Sequence, residues 1–257
     1  MIILKSERDQ KAMREAGAIA ALVLDEVARF VVPGVTTLDV DEYAAARIRC
    51  HGARSAFLGY HKYPCHVCIS VNDEVVHGIA GRRRLEFGDL ASIDVGVYYH
   101  GFVGDTARTV PVGGCDARAQ KLMDVTERAL YEGIAQAVAG NRVVDVSRAI
   151  QRFVEANGFS VVREFVGHGV GRSVHEEPQV PNYDDGKSSP RLRPGMTLAI
   201  EPMVNAGGPG VRVLSDGWTV VSEDGLPSAH FEHTVLVGEG PAEILTCCPE
   251  TPLTRLP

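Results

Sequence analysis

Apolar side chains recur at helical spacing from residue 6 to residue 32, opening at Ser6-Glu7 and closing at Pro33-Gly34. A second amphipathic stretch covers 37–50 and stops at His51-Gly52. The period then shortens to that of strands around 66–71, 89–98 and 102–112. After that the order restarts, with helical patterns at about 116–138 and 144–156, a stop at Asn157-Gly158, and strands again. "PGVTTLDV" (33–40) lies over "AGNRVVDV" (139–146), placing Gly34 on Gly140 and Asp39-Val40 on Asp145-Val146 at an offset of 106. "LEFGDLASIDVGV" (85–97) lies over "LRPGMTLAIEPMV" (192–204) at an offset of 107, with Gly88 on Gly195. The pattern predicts one helix-helix-sheet unit written twice, over about 5–112 and 116–250.

Two acids interrupt the strand pattern. "ASIDVGVYYHGFVGDTARTV" (91–110) carries Asp94 and Asp105 among Val, Ile, Tyr and Phe. A hairpin with its turn centred between Tyr99 and His100 sets them directly opposite, with Cβ atoms ~4.5–5.5 Å apart. Two half-buried carboxylates at that distance repel, and a divalent cation between them is the economical remedy. At the offset of 107, Asp94 falls on Glu201. Glu232 sits in the apolar "AHFEHTVLV", and His168 in "EFVGHGVG", where glycines let the backbone bend closely around a ligand. Four carboxylates and one histidine on repeat-related strands predict a site whose charge matches two divalent ions. The glycines at 167–171 do not form a phosphate loop, because G-x-G-x-x-G fails at Arg172.

Composition removes other classes. With 26 basic and 33 acidic residues among 257, the net charge of −7 argues against a nucleic-acid binder working by bulk electrostatics, and Arg82-Arg83-Arg84 reads as a solvated loop. "MIILKSERDQ" has no apolar signal region, and no later run reaches the ~18–20 apolar residues of a membrane span, so a cytoplasmic location is expected. Cys50, Cys65, Cys68, Cys115, Cys247 and Cys248 make no disulfide framework. The C-x-x-C at 65–68 lacks both the second pair a structural zinc needs and the strand-then-helix order of a redox motif, so free thiols are expected there.

Five segments together resemble the methionine aminopeptidases of the bacterial type I class: "LGYHKYPCHVCISVNDEVVHGI" (58–79), "IDVGVYYHGFVGDTART" (93–109), "GHGVGRSVHEEPQV" (167–180), "LAIEPMV" (198–204) and "HFEHTVLV" (230–237). The likeness covers nearly the whole chain and implies one catalytic domain, 1–257, with an α+β pita-bread fold. In that fold a curved antiparallel sheet holds the site and helices cover the outside. It places the metal ligands on Asp94, Asp105, His168, Glu201 and Glu232, with Asp105 and Glu232 bridging two divalent ions (Co, Mn, Fe or Zn). It makes Glu201 the proton shuttle for a metal-bridging hydroxide, and puts His77 and His175 beside the substrate. The pocket for methionine falls on Phe57, Tyr60, Tyr63, Cys68 and Trp218. Phe57 stands where the class frequently has Cys, and Val174 where it frequently has Phe, which suggests a reshaped pocket of similar volume. The substrates implied are N-terminal Met peptides and nascent chains, with a small second residue favoured and transient ribosome association. A monomer is the class default.

Three other readings use the same fold: a proline-specific aminopeptidase, a creatinase-like metal-independent hydrolase, and a binding module without catalysis. The first usually carries an extra N-terminal domain, whereas here the helical pattern starts almost at Met1. The other two lose ligands, and this chain keeps all five. The spacing of 33 residues from His168 to Glu201 and 31 from Glu201 to Glu232 leaves no room for the helical insertion of the type II class.

Overall fold

The computed structural model describes residues 1–247; residues 248–257, which include Cys248 and the last three residues assigned above to the second half, lie outside the described residues. The first half runs α1 (Glu7–Phe30), α2 (Thr37–Cys50), β1 (Cys68–Val71), β2 (Glu74–Val76), β3 (Leu90–Tyr99) and β4 (Phe102–Pro111). The second runs α3 (Ala117–Ala135), α4 (Val143–Ala156), β5 (Gly167–Gly169), β6 (Thr197–Ile200), β7 (Met203–Asn205), β8 (Ser228–His230) and β9 (Glu232–Leu236), with further strands between them. The four predicted helices are present, with small differences at their ends. α1 stops at Phe30 because Pro33 disfavours helical backbone at the residue before it. β1 begins at Cys68 rather than 66 because Asp41, on α2, accepts from the backbone N–H groups of His66 (2.7 Å) and Val67 (3.0 Å). The arginine triplet is exposed, as expected, with Arg84 donating to the carbonyl of Gly34.

Alternation along the strands creates the layers. Ala91, Ile93, Val95 and Val97 of β3 pack with Val23, Leu24 and Val27 of α1 and Val40, Ala44 and Ile48 of α2. In the second half Leu198 and Ile200 of β6 and Val235 of β9 pack with Leu122 and Leu130 of α3 and Val146 and Ile150 of α4. Helices therefore cover one face of the sheet. Burial of each large aliphatic side chain there contributes roughly 1.5–3 kcal/mol against exposure. The residues between them, Asp94, Gly96, Ala199 and Thr234, look the other way.

The repeat is visible in matched hydrogen bonds. Gly34 N–H donates to Leu85 O (2.8 Å) and Gly140 N–H to Leu192 O (3.0 Å). Arg84 reaches back to Gly34 O (2.6 Å), and Arg191 to Gly140 O (3.0 Å). Asp39 accepts from the backbone N–H of Thr36, and Asp145 from that of Arg142, closing the first turns of α2 and α4. Gly34 and Gly140 hold φ of 97° and 94°, a region open to glycine and costly for other residues. Each half thus ties the loop between its two helices to the residues just before β3 or β6 by the same contacts.

The halves meet in a nine-stranded antiparallel sheet in which β4, from the first, pairs with β9, from the second. α1 lies against the β3–β4 hairpin at a point where no side chain intervenes. A Cβ on Gly104 would stand 2.2 Å from the carbonyl oxygen of Ala16. Because the obstacle is backbone, Gly104→Ala is expected to lower stability by about 2–3 kcal/mol. Urea unfolding tests this: a midpoint equal to wild type would mean that α1 is not held this close.

Candidate metal centre and its cavity

The sheet register delivers the acids. In β3 and β4, Asp94 pairs with Ala107 and Asp105 with Gly96. The two acids are therefore diagonal neighbours on one face, not directly opposed as the sequence suggested. The turn explains the two-residue difference. It consists of His100 and Gly101, with φ of 48° and 84°, the pair of positive values that a tight hairpin turn of this hand requires. Gly101 takes that conformation freely, so the turn settles there rather than one residue earlier.

Ala107 also pairs with Glu232 across the junction between halves, and Ala199 of β6 pairs with both Thr234 and His168. Paired residues share a face, as do residues two apart. Asp94, Asp105, His168 and Glu232 consequently project to the same side, and Glu201, two residues beyond Ala199, joins them. Thr234 Oγ1 donates to Asp105 O and Thr106 Oγ1 to Glu232 O, both at 2.8 Å, which pins the register where the halves join. Ligand atoms of Asp105, His168 and Glu232 all lie within 4.8 Å of one another. His168 Nε2 is 4.0 Å from Asp105 Oδ2 and 3.3 Å from Glu201 Oε1.

Asp105 and Glu232 are each 3% exposed, and Asp94 and Glu201 keep little surface. Burial, and then the neighbouring carboxylates, push all four well above the ordinary carboxylate range. Asp94 Oδ1, Asp105 Oδ1 and Glu232 Oε1 are buried with no hydrogen-bond partner among the described residues. Acceptor oxygens enclosed without donors are costly, and cations satisfy them. His168 is prepared for the same task. Its Nδ1 lies 2.9 Å from Gly169 O, which holds the ring proton there and turns the Nε2 lone pair toward the acids. Burial lowers its pKa to about 3, with His175 adding to the effect, so the ring is neutral near pH 7. The donor set fits divalent metal.

Beside the acids opens a cavity of about 350 Å³. Every residue expected at the substrate lines it: Phe57, Tyr60, Tyr63, Cys68, His77, His175 and Trp218. Tyr63 and Cys68 are buried, while His175 stands at the exposed rim. His77 has φ of 60°, an uncommon conformation for a residue with a Cβ. It is fixed by Gly78, whose carbonyl accepts from Tyr63 Oη (2.7 Å) and whose N–H donates to Ser70 Oγ. Burial takes the His77 pKa down to about 4. Tyr60 Oη lies 2.7 Å from His175 Nδ1; donated from the phenol, this bond leaves the imidazole proton on Nε2. Phe57 serves wall and core together, since its ring rests on Gly96, where a Cβ would be 2.4 Å from Phe57 Cε1. Val174 lines the same cavity. Cys65 is buried with its thiol free, and so is Cys68, as expected.

Phe165, Met203, His61 and His230 also line the cavity and were not anticipated. A signal existed for His230. It precedes Glu232 by two residues, so strand alternation alone puts it on the face of the acids. Phe165 and Met203 come from loop and strand segments whose apolar character reads equally well as core.

Residues 11–239 match the model of metallopeptidase family M24, and the chain belongs to that family. Methionine aminopeptidase 1 of Bacillus subtilis is 49% identical over 246 residues, spanning 96% of this chain and 99% of its own length. The methionine aminopeptidase of Clostridium perfringens is 50% identical with the same coverage. The crystal structure of methionine aminopeptidase from Thermotoga maritima superposes with a TM-score of 0.93 at 46% identity, covering 96% of this chain and 99% of that one. A Xaa-Pro dipeptidase from Bacillus anthracis shares the fold at a TM-score of 0.79 and 22% identity, with 63% of its own chain covered. The architecture is the α+β pita-bread fold.

Proton linkage gives a test of the cluster. The folded carboxylates hold protons that the unfolded chain releases at the ordinary carboxylate pKa, so the metal-free fold loses this contribution as pH rises. Cations compete with those same protons and gain over that range, while His168, with its pKa near 3, stays available throughout. The difference in Tm between Mn(II)-loaded and chelator-stripped protein is expected to widen from about pH 6 to about pH 8. A difference that is flat or narrows would mean that the cation binds elsewhere.

Proposed function

We propose that this chain is a methionine aminopeptidase, removing the N-terminal methionine from peptides and nascent chains with a small second residue. The observation that supports the reading is that Asp94, Asp105, His168, Glu201 and Glu232 line one mostly apolar cavity, with a buried, unpaired oxygen on Asp94, Asp105 and Glu232. Near-half identity to methionine aminopeptidases over almost their full length supports the same conclusion. The chain acts as one catalytic unit, because its two halves each supply part of the cluster. Its expected setting is the cytoplasm, as a monomer meeting chains that emerge from the ribosome. Among the described residues no helix is long and apolar enough to cross a membrane.

Asp94, Asp105, His168, Glu201 and Glu232 would hold two divalent ions, with Asp105 and Glu232 shared between them. Such ions, when bound, supply Lewis-acid polarisation of the scissile carbonyl and a water acidic enough to give hydroxide near neutrality. Glu201, raised in pKa by burial and by Asp105, takes a proton from the attacking water and delivers it to the leaving amine. His77 and His175, both with pKa lowered by burial, are neutral donors to the carbonyl oxygen and to the peptide beyond it. The thioether of methionine occupies the space among Phe57, Tyr63, Cys68 and Trp218, where Tyr63 and Trp218 meet edge to face at 5.0 Å.

Asp105→Asn keeps the side-chain volume and removes a shared charge. It is expected to lose kcat/KM on Met-Ala-Ser by orders of magnitude while remaining folded, and near-wild-type turnover after metal-free preparation would refute the scheme. With the wild type, Met-Ala-Ser is expected to be cleaved, Ala-Pro peptides to be spared, and chelator to abolish the activity; cleavage of Ala-Pro in preference would favour the proline-specific alternative. Phe57→Cys removes a wall of the pocket and is expected to raise KM for Met-Ala-Ser roughly tenfold with kcat little changed. Unchanged kinetics would assign Phe57 to the core alone.

A further inference from the structure

Glu201 touches two histidines, one through each carboxylate oxygen. Oε1 lies 3.3 Å from His168 Nε2, and Oε2 lies 3.5 Å from His230 Nε2. His168 is accounted for as a metal ligand, whereas nothing above gives His230 a task. Its residue is only 2% exposed, yet it forms part of the cavity wall. Its Nε2 is a buried nitrogen with no hydrogen-bond partner among the described residues.

The backbone beneath this ring is firmly held. His230 N–H donates to Thr109 Oγ1 (2.8 Å), the same hydroxyl lies 3.0 Å from His230 O, and Ser92 Oγ sits 2.8 Å from it. On its other side His230 pairs with Met203, two residues beyond Glu201. The sheet thus holds an otherwise unpaired ring nitrogen 3.5 Å from one oxygen of the carboxylate that the proposed reaction uses most.

The two histidines are prepared in opposite ways. The carbonyl of Gly169 holds the His168 proton on Nδ1, which leaves Nε2 as a lone pair for a cation. No comparable bond commits the His230 proton to Nδ1 among the described residues, and Nε2 faces an acceptor. A buried nitrogen opposite a carboxylate oxygen is satisfied when it carries the proton.

We propose that His230 is a positioning residue for Glu201. Its Nε2–H is directed at Oε2, restrains the rotation of the carboxylate, and leaves Oε1, beside His168, as the oxygen for cation and proton. This inference rests on the reading of Glu201 given above. It requires an N–H donor at position 230 rather than a histidine as such.

The test compares wild type, His230→Gln and His230→Leu, each stripped with chelator and titrated calorimetrically with Mn(II), alongside kcat and KM on Met-Ala-Ser. His230→Leu is expected to bind the same number of equivalents as wild type but about tenfold more weakly, and to lose kcat ~10- to 100-fold at unchanged KM. His230→Gln, which keeps a donor at similar reach, recovers most of both. Should the leucine variant fail to fold, His230→Phe replaces it, keeping a ring without the donor. Wild-type affinity and kcat in His230→Leu overturn the proposal, as does an unrecovered His230→Gln. Loss of one metal equivalent overturns it too, making His230 a ligand. A wild type that binds no Mn(II) or spares Met-Ala-Ser would instead defeat the reading of the whole site.

Discussion

Asp94, Asp105, Glu201 and Glu232 repel one another inside the protein, and burial drives each toward its protonated form. A fold that merely needed a sheet would place apolar residues at these positions and gain stability by it. Here the rest of the structure serves their convergence. The β4–β9 pairing joins the halves where Asp105 and Glu232 sit, threonine hydroxyls pin that register, and the helices bury the opposite face of the sheet beneath the acids. His168 completes the set with a neutral nitrogen whose direction is fixed by its own neighbour's carbonyl. Cations convert this repulsion into attraction, which is why the cluster is tolerable.

Duplication explains how such a cluster is built. Each half carries two helices joined at the same glycine latch and a strand that leads an acid to the inner face, and the acids and His168 come from both halves. The cavity lies at the junction and is lined from both. Tyr60, Tyr63 and His77 are given by the first half, and His175 and Trp218 by the second. Burial lowers the pKa of His77 and of His175 at its wall, so neither adds positive charge that would compete with a cation.

The sequence carried the helices and the repeat almost completely, because amphipathic period and glycine at positive φ are local properties. It also carried the identity of the acids, since charge in an apolar strand is conspicuous. It did not carry their mutual geometry. The register of β3 on β4 turns on which two residues occupy the bend, and Gly101 decided that against the symmetric placement of Asp94 and Asp105. His230 was legible by alternation from Glu232 but is indistinguishable in one sequence from a core histidine. The bond between Tyr60 and His175 joins residues 115 positions apart, and no local pattern announces it.

Anomalous diffraction from crystals grown with Mn(II) and recorded at the manganese edge would show where the cations bind. Two peaks are expected within bonding reach of Asp94, Asp105, His168, Glu201 and Glu232, with Asp105 and Glu232 touching both. Manganese bound at some other place, with these five side chains left uncoordinated, would contradict it.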